Sequence, residues 1–103
     1  MKQALERSLV FEDFADKLGE VFVVGEGDFP AIPLTLTEAE PLPARMGLKD
    51  VRPPFSLLFL AKDPRVLPQR LYRLEHEGLG EVTIFLVPIG KDAEGVRYQA
   101  TFN

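Results

Sequence analysis

Apolar residues recur along this chain with two different periods. Over residues 11–18, Phe11, Phe14, Ala15 and Leu18 fall at i, i+3, i+4 and i+7, which is one face of a helix. Glu12 and Asp13 suit its first turn, Lys17 its last, and Gly19 is a natural stop. So short a helix is unstable alone and must pack on something. Beyond Gly19 the helical period disappears and a period of two takes over. Strands are predicted at about 20–24, 31–40, 55–61, 70–76, 81–89 and 96–102. In the second, Ile32, Leu34 and Leu36 share a face, and Pro33, which lacks a ladder donor, argues for a sheet edge. In the fourth, Tyr72 and Leu74 oppose Arg73 and Glu75; in the last, Val96, Tyr98, Ala100 and Phe102 oppose Arg97, Gln99 and Thr101.

The intervals between these runs carry turn residues. They are the Gly25–Asp28 stretch, a long Pro-containing segment over 41–54 with Arg45, Lys49 and Arg52, a second Pro-containing loop over 63–69, Gly78 to Gly80, and a polar loop over 90–95. Connections of hairpin length favour antiparallel pairing, because parallel neighbours need a long crossover. The expected fold is therefore a single, mainly β domain. It is a small antiparallel barrel or two-layer sandwich of about six strands with one short amino-terminal helix.

Two strands depart from simple alternation. Residues 55–61 and 81–89 are apolar on both faces. If Phe55, Leu57 and Phe59 face the core, Leu58 and Leu60 face outward. If Val82, Ile84 and Leu86 face inward, Phe85 and Val87 face outward; the opposite register exposes the other set. Large contiguous apolar patches on a monomer mark interaction sites. Leu58, Leu60, Phe85 and Val87 are thus candidate partner-binding residues, in a homo-oligomer or with another protein. The competing reading is that the chain covers them itself, laying Phe11, Phe14 and Leu18 over the sheet.

Composition narrows the chemistry. With 103 residues, 46% of them hydrophobic and 27% charged, the chain has the make-up of one globular domain. Twelve Lys and Arg against 16 Asp and Glu leave a net charge of −4, which disfavours nucleic acid and anionic membranes. The apolar runs are too short to span a bilayer, and the charged start does not read as a secretory signal, so a cytoplasmic protein is expected. There is no Cys, which removes disulfides, thiolate metal sites and Cys nucleophiles. His76 is the one His, too few for a zinc site, and its plain reading is a strand end hydrogen-bonded near the Gly78 turn. Ser56 lacks the nucleophile-elbow context, and a Ser56–His76–Asp triad needs distant positions to converge. The pairs Glu12/Asp13, Glu38/Glu40 and Asp92/Glu94 read as solvated surface, and the Gly-rich turns lack phosphate-loop spacing. No catalytic residue, metal or cofactor is expected.

Several strings together carry a resemblance over nearly the whole chain. They are Glu12-Asp13-Phe14 with Leu18-Gly19-Glu20 and Phe22; Pro54-Phe55-Ser56-Leu57 with Phe59; Leu67-Pro68-Gln69 with Tyr72-Arg73-Leu74-Glu75-His76; and Phe85-Leu86-Val87-Pro88 with Tyr98 and Phe102-Asn103. The chain resembles a family of short bacterial proteins of unknown function, often encoded beside phage-tail-collar-like (tail-fibre-like) proteins. Val10 stands where that family's pattern has Thr or Ser before the helix, which puts the helix cap in question. The resemblance implies a fold and a partner protein, and no active site. The expected function is a non-enzymatic protein-interaction module, an accessory or assembly factor for a tail-fibre-like protein. Two alternatives stand beside it. One is a small-molecule-binding barrel or cryptic hydrolase, with His76, Glu75 and Tyr72 lining a mouth. The other is a self-assembling structural subunit.

Overall fold

The computed structural model describes residues 9–25, 31–43 and 53–102. They form α1 (Glu12–Ala15), β1 (Val21–Val24), β2 (Ile32–Pro41), β3 (Phe55–Ala61), β4 (Arg70–His76), β5 (Gly80–Asp92) and β6 (Gly95–Phe102). The strands close into a barrel in the order β1-β2-β3-β6-β5-β4, with β4 returning to β1 and every neighbouring pair antiparallel. Of the two expected architectures, the barrel is the one formed. Closure removes the edges that open sheets must protect.

The alternating positions fill the interior. Phe22, Val24, Ile32, Leu34, Leu36, Phe55, Leu57, Phe59, Tyr72, Leu74, Val82, Ile84, Leu86, Val96, Tyr98 and Ala100 are all buried. A barrel this narrow has an interior that side chains can fill completely. The two longest strands, β2 and β5, each carry an irregularity. In β2, Leu36 pairs with Phe59 and Glu38 with Leu58, so Thr37 is the extra residue, and its hydroxyl donates to the Leu58 carbonyl at 3.1 Å. In β5, Pro88 pairs with Tyr98 and Gly90 with Arg97, so Ile89 is extra and half exposed. Bulges of this kind bend a strand sharply, which a six-stranded ring requires. Period two therefore holds on each side of a bulge and slips across it. The polar loop expected over 90–95 is shorter than that: β5 continues to Asp92, and only Ala93 and Glu94 turn.

Pro33 does not mark an edge, contrary to the sequence reading, since β2 is flanked by β1 and β3. Leu36 donates to the Glu20 carbonyl and accepts from Gly19. By alternation, Leu34 and Ile32 also direct their main-chain groups to β1, whereas Pro33 and Thr35 direct theirs to β3. The β2–β3 ladder begins at Thr35↔Leu60. Pro33 thus lies beyond its end, where no donor is needed. The same alternation turns the main-chain groups of its partner Val23 toward β4.

Both mouths of the barrel are stoppered. At one end, α1 is a single turn of Glu12–Ala15, not the two turns expected over 11–18. Leu18 is exposed and Phe14 fully buried, so one aromatic residue anchors the segment in place of a four-residue stripe. The Phe14 ring centroid lies 5.9 to 6.1 Å from those of Phe22, Phe55 and Phe102. The cap also differs from the usual arrangement: Phe11 provides no side-chain cap, and the Asp13 carboxylate instead accepts the Val10 N–H at 2.9 Å. That is the acidic half of a capping box working without its hydroxyl half.

At the other end, residues 62–69 cross from β3 to β4, which are not neighbours in the ring. Leu67 of this strap is buried. Its N–H donates to the Tyr98 hydroxyl at 2.9 Å, and the Tyr72 hydroxyl donates to the Pro68 carbonyl at 2.5 Å. Arg65 pins the start of the strap to Asp63 and holds that carboxyl down at about 2. Burial pushes the Tyr98 phenol above its ordinary value, against the lowering effect of the Leu67 N–H. A phenol raised in the folded state contributes stability below its unfolded value of about 10, lost as pH rises through the folded value. Ultraviolet titration should therefore show a tyrosine ionising late and together with alkaline unfolding. Tyr98→Phe should lower the amplitude of that late step, and an unchanged amplitude in the variant would refute the assignment.

Candidate functional site

The outward face of the barrel carries the four residues expected to bind a partner, and the topology divides them. Leu58 and Leu60 stand on β3 and are half-buried; Val87 on β5 is half-buried and Phe85 is 43% exposed. Between β3 and β5 runs β6, with Arg97, Gln99 and Thr101 outward. Gln99 pairs with Leu58 on one side and Val87 on the other. The predicted residues are therefore two groups separated by a polar strand.

The β5 group is larger than the sequence reading had it. Phe85 lies directly opposite Leu71 of β4, which is 57% exposed. Cross-strand neighbours at such positions stand within side-chain contact distance. Leu71 was legible: it sits one residue from the inward Tyr72, so alternation turns it outward. Among the described residues, Phe14 and Leu18 of the amino-terminal segment cover neither group. Phe14 packs with Phe22, Phe55 and Phe102 at the barrel mouth, and Leu18 is itself exposed. The expectation that Phe11, Phe14 and Leu18 lie over the sheet is corrected accordingly: the helix is too short to present a stripe, and the open mouth offers Phe14 a deeper site.

His76 occupies a different position, at the end of β4 where it meets β1. Its ring stacks on Phe22 with centroids 4.4 Å apart. Nδ1 accepts the N–H groups of Gly78 and Leu79, each at 3.0 Å. That fixes the neutral tautomer with its proton on Nε2, which points at the Glu20 carboxylate 2.6 Å away. The strand-end reading near the Gly78 turn matches this geometry. The Glu20 contact spans 56 residues of sequence and had no local signal. A shallow groove lined by Lys17, Gly19, Glu20, Val21, His76, Glu77 and Gly78 opens beside the pair.

The structure does not assemble the other candidate constellations. Tyr72 points into the barrel and bonds Pro68 at the strap end, and Glu75 faces solvent, so neither joins His76 at a common mouth. Ser56 pairs with Glu40 and Thr101, on a strand that does not adjoin β4. Glu38 and Glu40 are exposed. Asp92 and Glu94 both bind Arg97, at 2.5 and 2.6 Å. The Glu94 backbone N–H, with Arg97, lowers the Asp92 carboxyl below its ordinary value. Among the described residues no cluster of three or more His, Asp or Glu could hold a metal ion. The basic positions Arg45, Lys49 and Arg52, and the turn at 26–28, lie outside the described residues. Among the described residues no helix is long and apolar enough to cross a membrane.

No curated protein and no solved structure matches the chain. A family model described as a domain of unknown function, DUF6916, matches residues 9–102, which takes in both mouth plugs and all six strands. The chain belongs to the DUF6916 family.

Proposed function

We propose that this domain is a non-enzymatic protein-interaction module that binds through the outer face of β4 and β5. The observation that carries the reading is the exposed cross-strand pair Leu71 and Phe85, continued along β5 by Val87. An aromatic and an aliphatic residue side by side on a rigid strand pair make an anchor of the kind that concentrates binding energy. The interior supports a small-molecule reading less well, because Tyr72, Tyr98, Phe22, Phe55 and Phe59 fill it and both ends are stoppered. The finer reading is an accessory or assembly factor for the tail-fibre-like protein encoded beside members of a similar bacterial family, acting in the cytoplasm without nucleic acid. Self-assembly through the same face is the second reading.

The test is light scattering across concentrations, followed by co-purification with that neighbouring tail-fibre-like protein. Wild type should associate with itself or with the neighbour. Leu71→Glu and Phe85→Glu should abolish the association while shifting the melting temperature by only a few degrees, since both sites are already wet. A wild type that stays monomeric and leaves the neighbour behind would refute the proposal. So would variants that bind as wild type does.

A further inference from the structure

The ring order divides the barrel into two halves, each continuous in sequence. α1, β1, β2 and β3 make one side, and β4, β5 and β6 make the other. The halves meet at two seams, β3–β6 and β1–β4. Their only covalent link is the strap over residues 62–69, which crosses the mouth between strands that are not neighbours.

The halves recognise each other in detail. Seven residue pairs register across β3–β6, from Phe55↔Phe102 to Ala61↔Val96, and the Phe55 and Phe102 rings stack with centroids 4.4 Å apart. Phe14 of the first half packs on Phe102 of the second. Phe22 of β1 stacks on His76 of β4, and Glu20 meets the same ring at 2.6 Å. None of these contacts depends on which chain supplies the facing half. The strap, for its part, is tied to the second half. Its Leu67 N–H donates to the Tyr98 hydroxyl, which in turn donates to the Arg65 carbonyl at 3.4 Å, and the Tyr72 hydroxyl donates to the Pro68 carbonyl. Residues 65–69 therefore travel with β4–β6. Since β3 ends at Ala61, the join falls at residues 62–64, where the Asp63 carboxylate accepts the Arg65 N–H and Nε–H, each at 2.9 Å. Pro64 and Pro68 favour extended backbone at Asp63 and Leu67, which suits a link that runs straight from one barrel to the next.

We infer that the strap is a hinge, and that two copies of this chain exchange β4–β6 through it to form a dimer of two complete barrels. The exchanged pair rebuilds both seams from the same residues, so the rearrangement is confined to the join at 62–64. The partner is a second copy of this chain, recognised through β3–β6 and β1–β4. The inference does not rest on the outer face of β4 and β5.

Refolding from denaturant at rising chain concentration, followed by size-exclusion chromatography, tests it. The ratio of dimer to monomer should rise about tenfold for a tenfold rise in concentration. Isolated dimer should persist on dilution, because its return to monomer requires both seams to open. Leu71→Glu and Phe85→Glu should leave this dimer intact, which separates it from association through the outer face. A disulfide reads the exchange directly, since the chain has no Cys of its own. Leu58 and Gln99 face each other across β3–β6, at a spacing that a disulfide can bridge. With Leu58→Cys and Gln99→Cys combined, the oxidised dimer should run as a covalent dimer on a non-reducing gel, and the oxidised monomer as a single chain. Ser56→Cys with Thr101→Cys, the next facing pair outward, should behave in the same way. Absence of a persistent dimer at every refolding concentration would overturn the hinge. So would an isolated dimer in which each chain closes its own disulfide.

Discussion

Gly95→Ala should cost about 3 kcal/mol or more, a large share of the roughly 5–15 kcal/mol that holds a domain folded. Gly95 begins β6, with φ at +139°, a region that residues with a side chain rarely adopt. A Cβ there would stand 2.0 Å from the Ala61 carbonyl oxygen, 2.9 Å from its carbon and 3.0 Å from the Lys62 Cα. All three are backbone atoms where β3 ends and the strap begins, and β3 is held along its length by β2 and β6. Neither side can yield without shifting the barrel wall. Gly80→Ala separates this clash from backbone strain. Gly80 also has a positive φ, +78°, but nothing lies within 4 Å of its added Cβ. Its cost should be about 1 kcal/mol, a melting shift of about 5 °C. Denaturant unfolding of the two variants decides. Equal losses would mean that the approach of Ala61 does not matter.

Phe14→Ala should be the most damaging truncation in the amino-terminal segment, at about 3–5 kcal/mol. The ring is fully buried and closes one mouth of the barrel against Phe22, Phe55 and Phe102. Removing it leaves a void walled by three aromatic rings that the closed strands hold apart. Phe11, half-buried and edge-on to Phe55 at 6.3 Å, should cost less when truncated. Leu18→Ala should be close to silent, since Leu18 is exposed. Thermal unfolding of the three variants ranks them. A Leu18→Ala loss as large as that of Phe14→Ala would restore the two-turn helix that the periodicity of residues 11–18 implies.

The elements and their faces were legible in the chain. Alternation marked Ile32, Leu34 and Leu36, then Tyr72 and Leu74, and Val96, Tyr98 and Ala100, and every one of these is buried. For the doubly apolar strands it separated the two faces and left open which one turns inward; the structure places Leu57 and Ile84 inward and Leu58 and Phe85 outward. A strand's side chains alternate whatever its neighbours are, so local sequence suffices for that much. Composition likewise bounded the chemistry, because a chain with one His and no Cys carries few ligands wherever it folds. Only the tertiary structure decided which strands adjoin. That choice split the outward apolar residues by placing polar β6 between Leu58 and Val87, and it added Leu71 beside Phe85. It set Glu20 against His76 across 56 residues and gave Pro33 its harmless place beyond the end of a ladder. It also reduced the helix to one turn, because a closed barrel has a mouth to fill and a single Phe fills it. These are consequences of ring closure and register, which depend on all six strands at once and leave no mark at any one position.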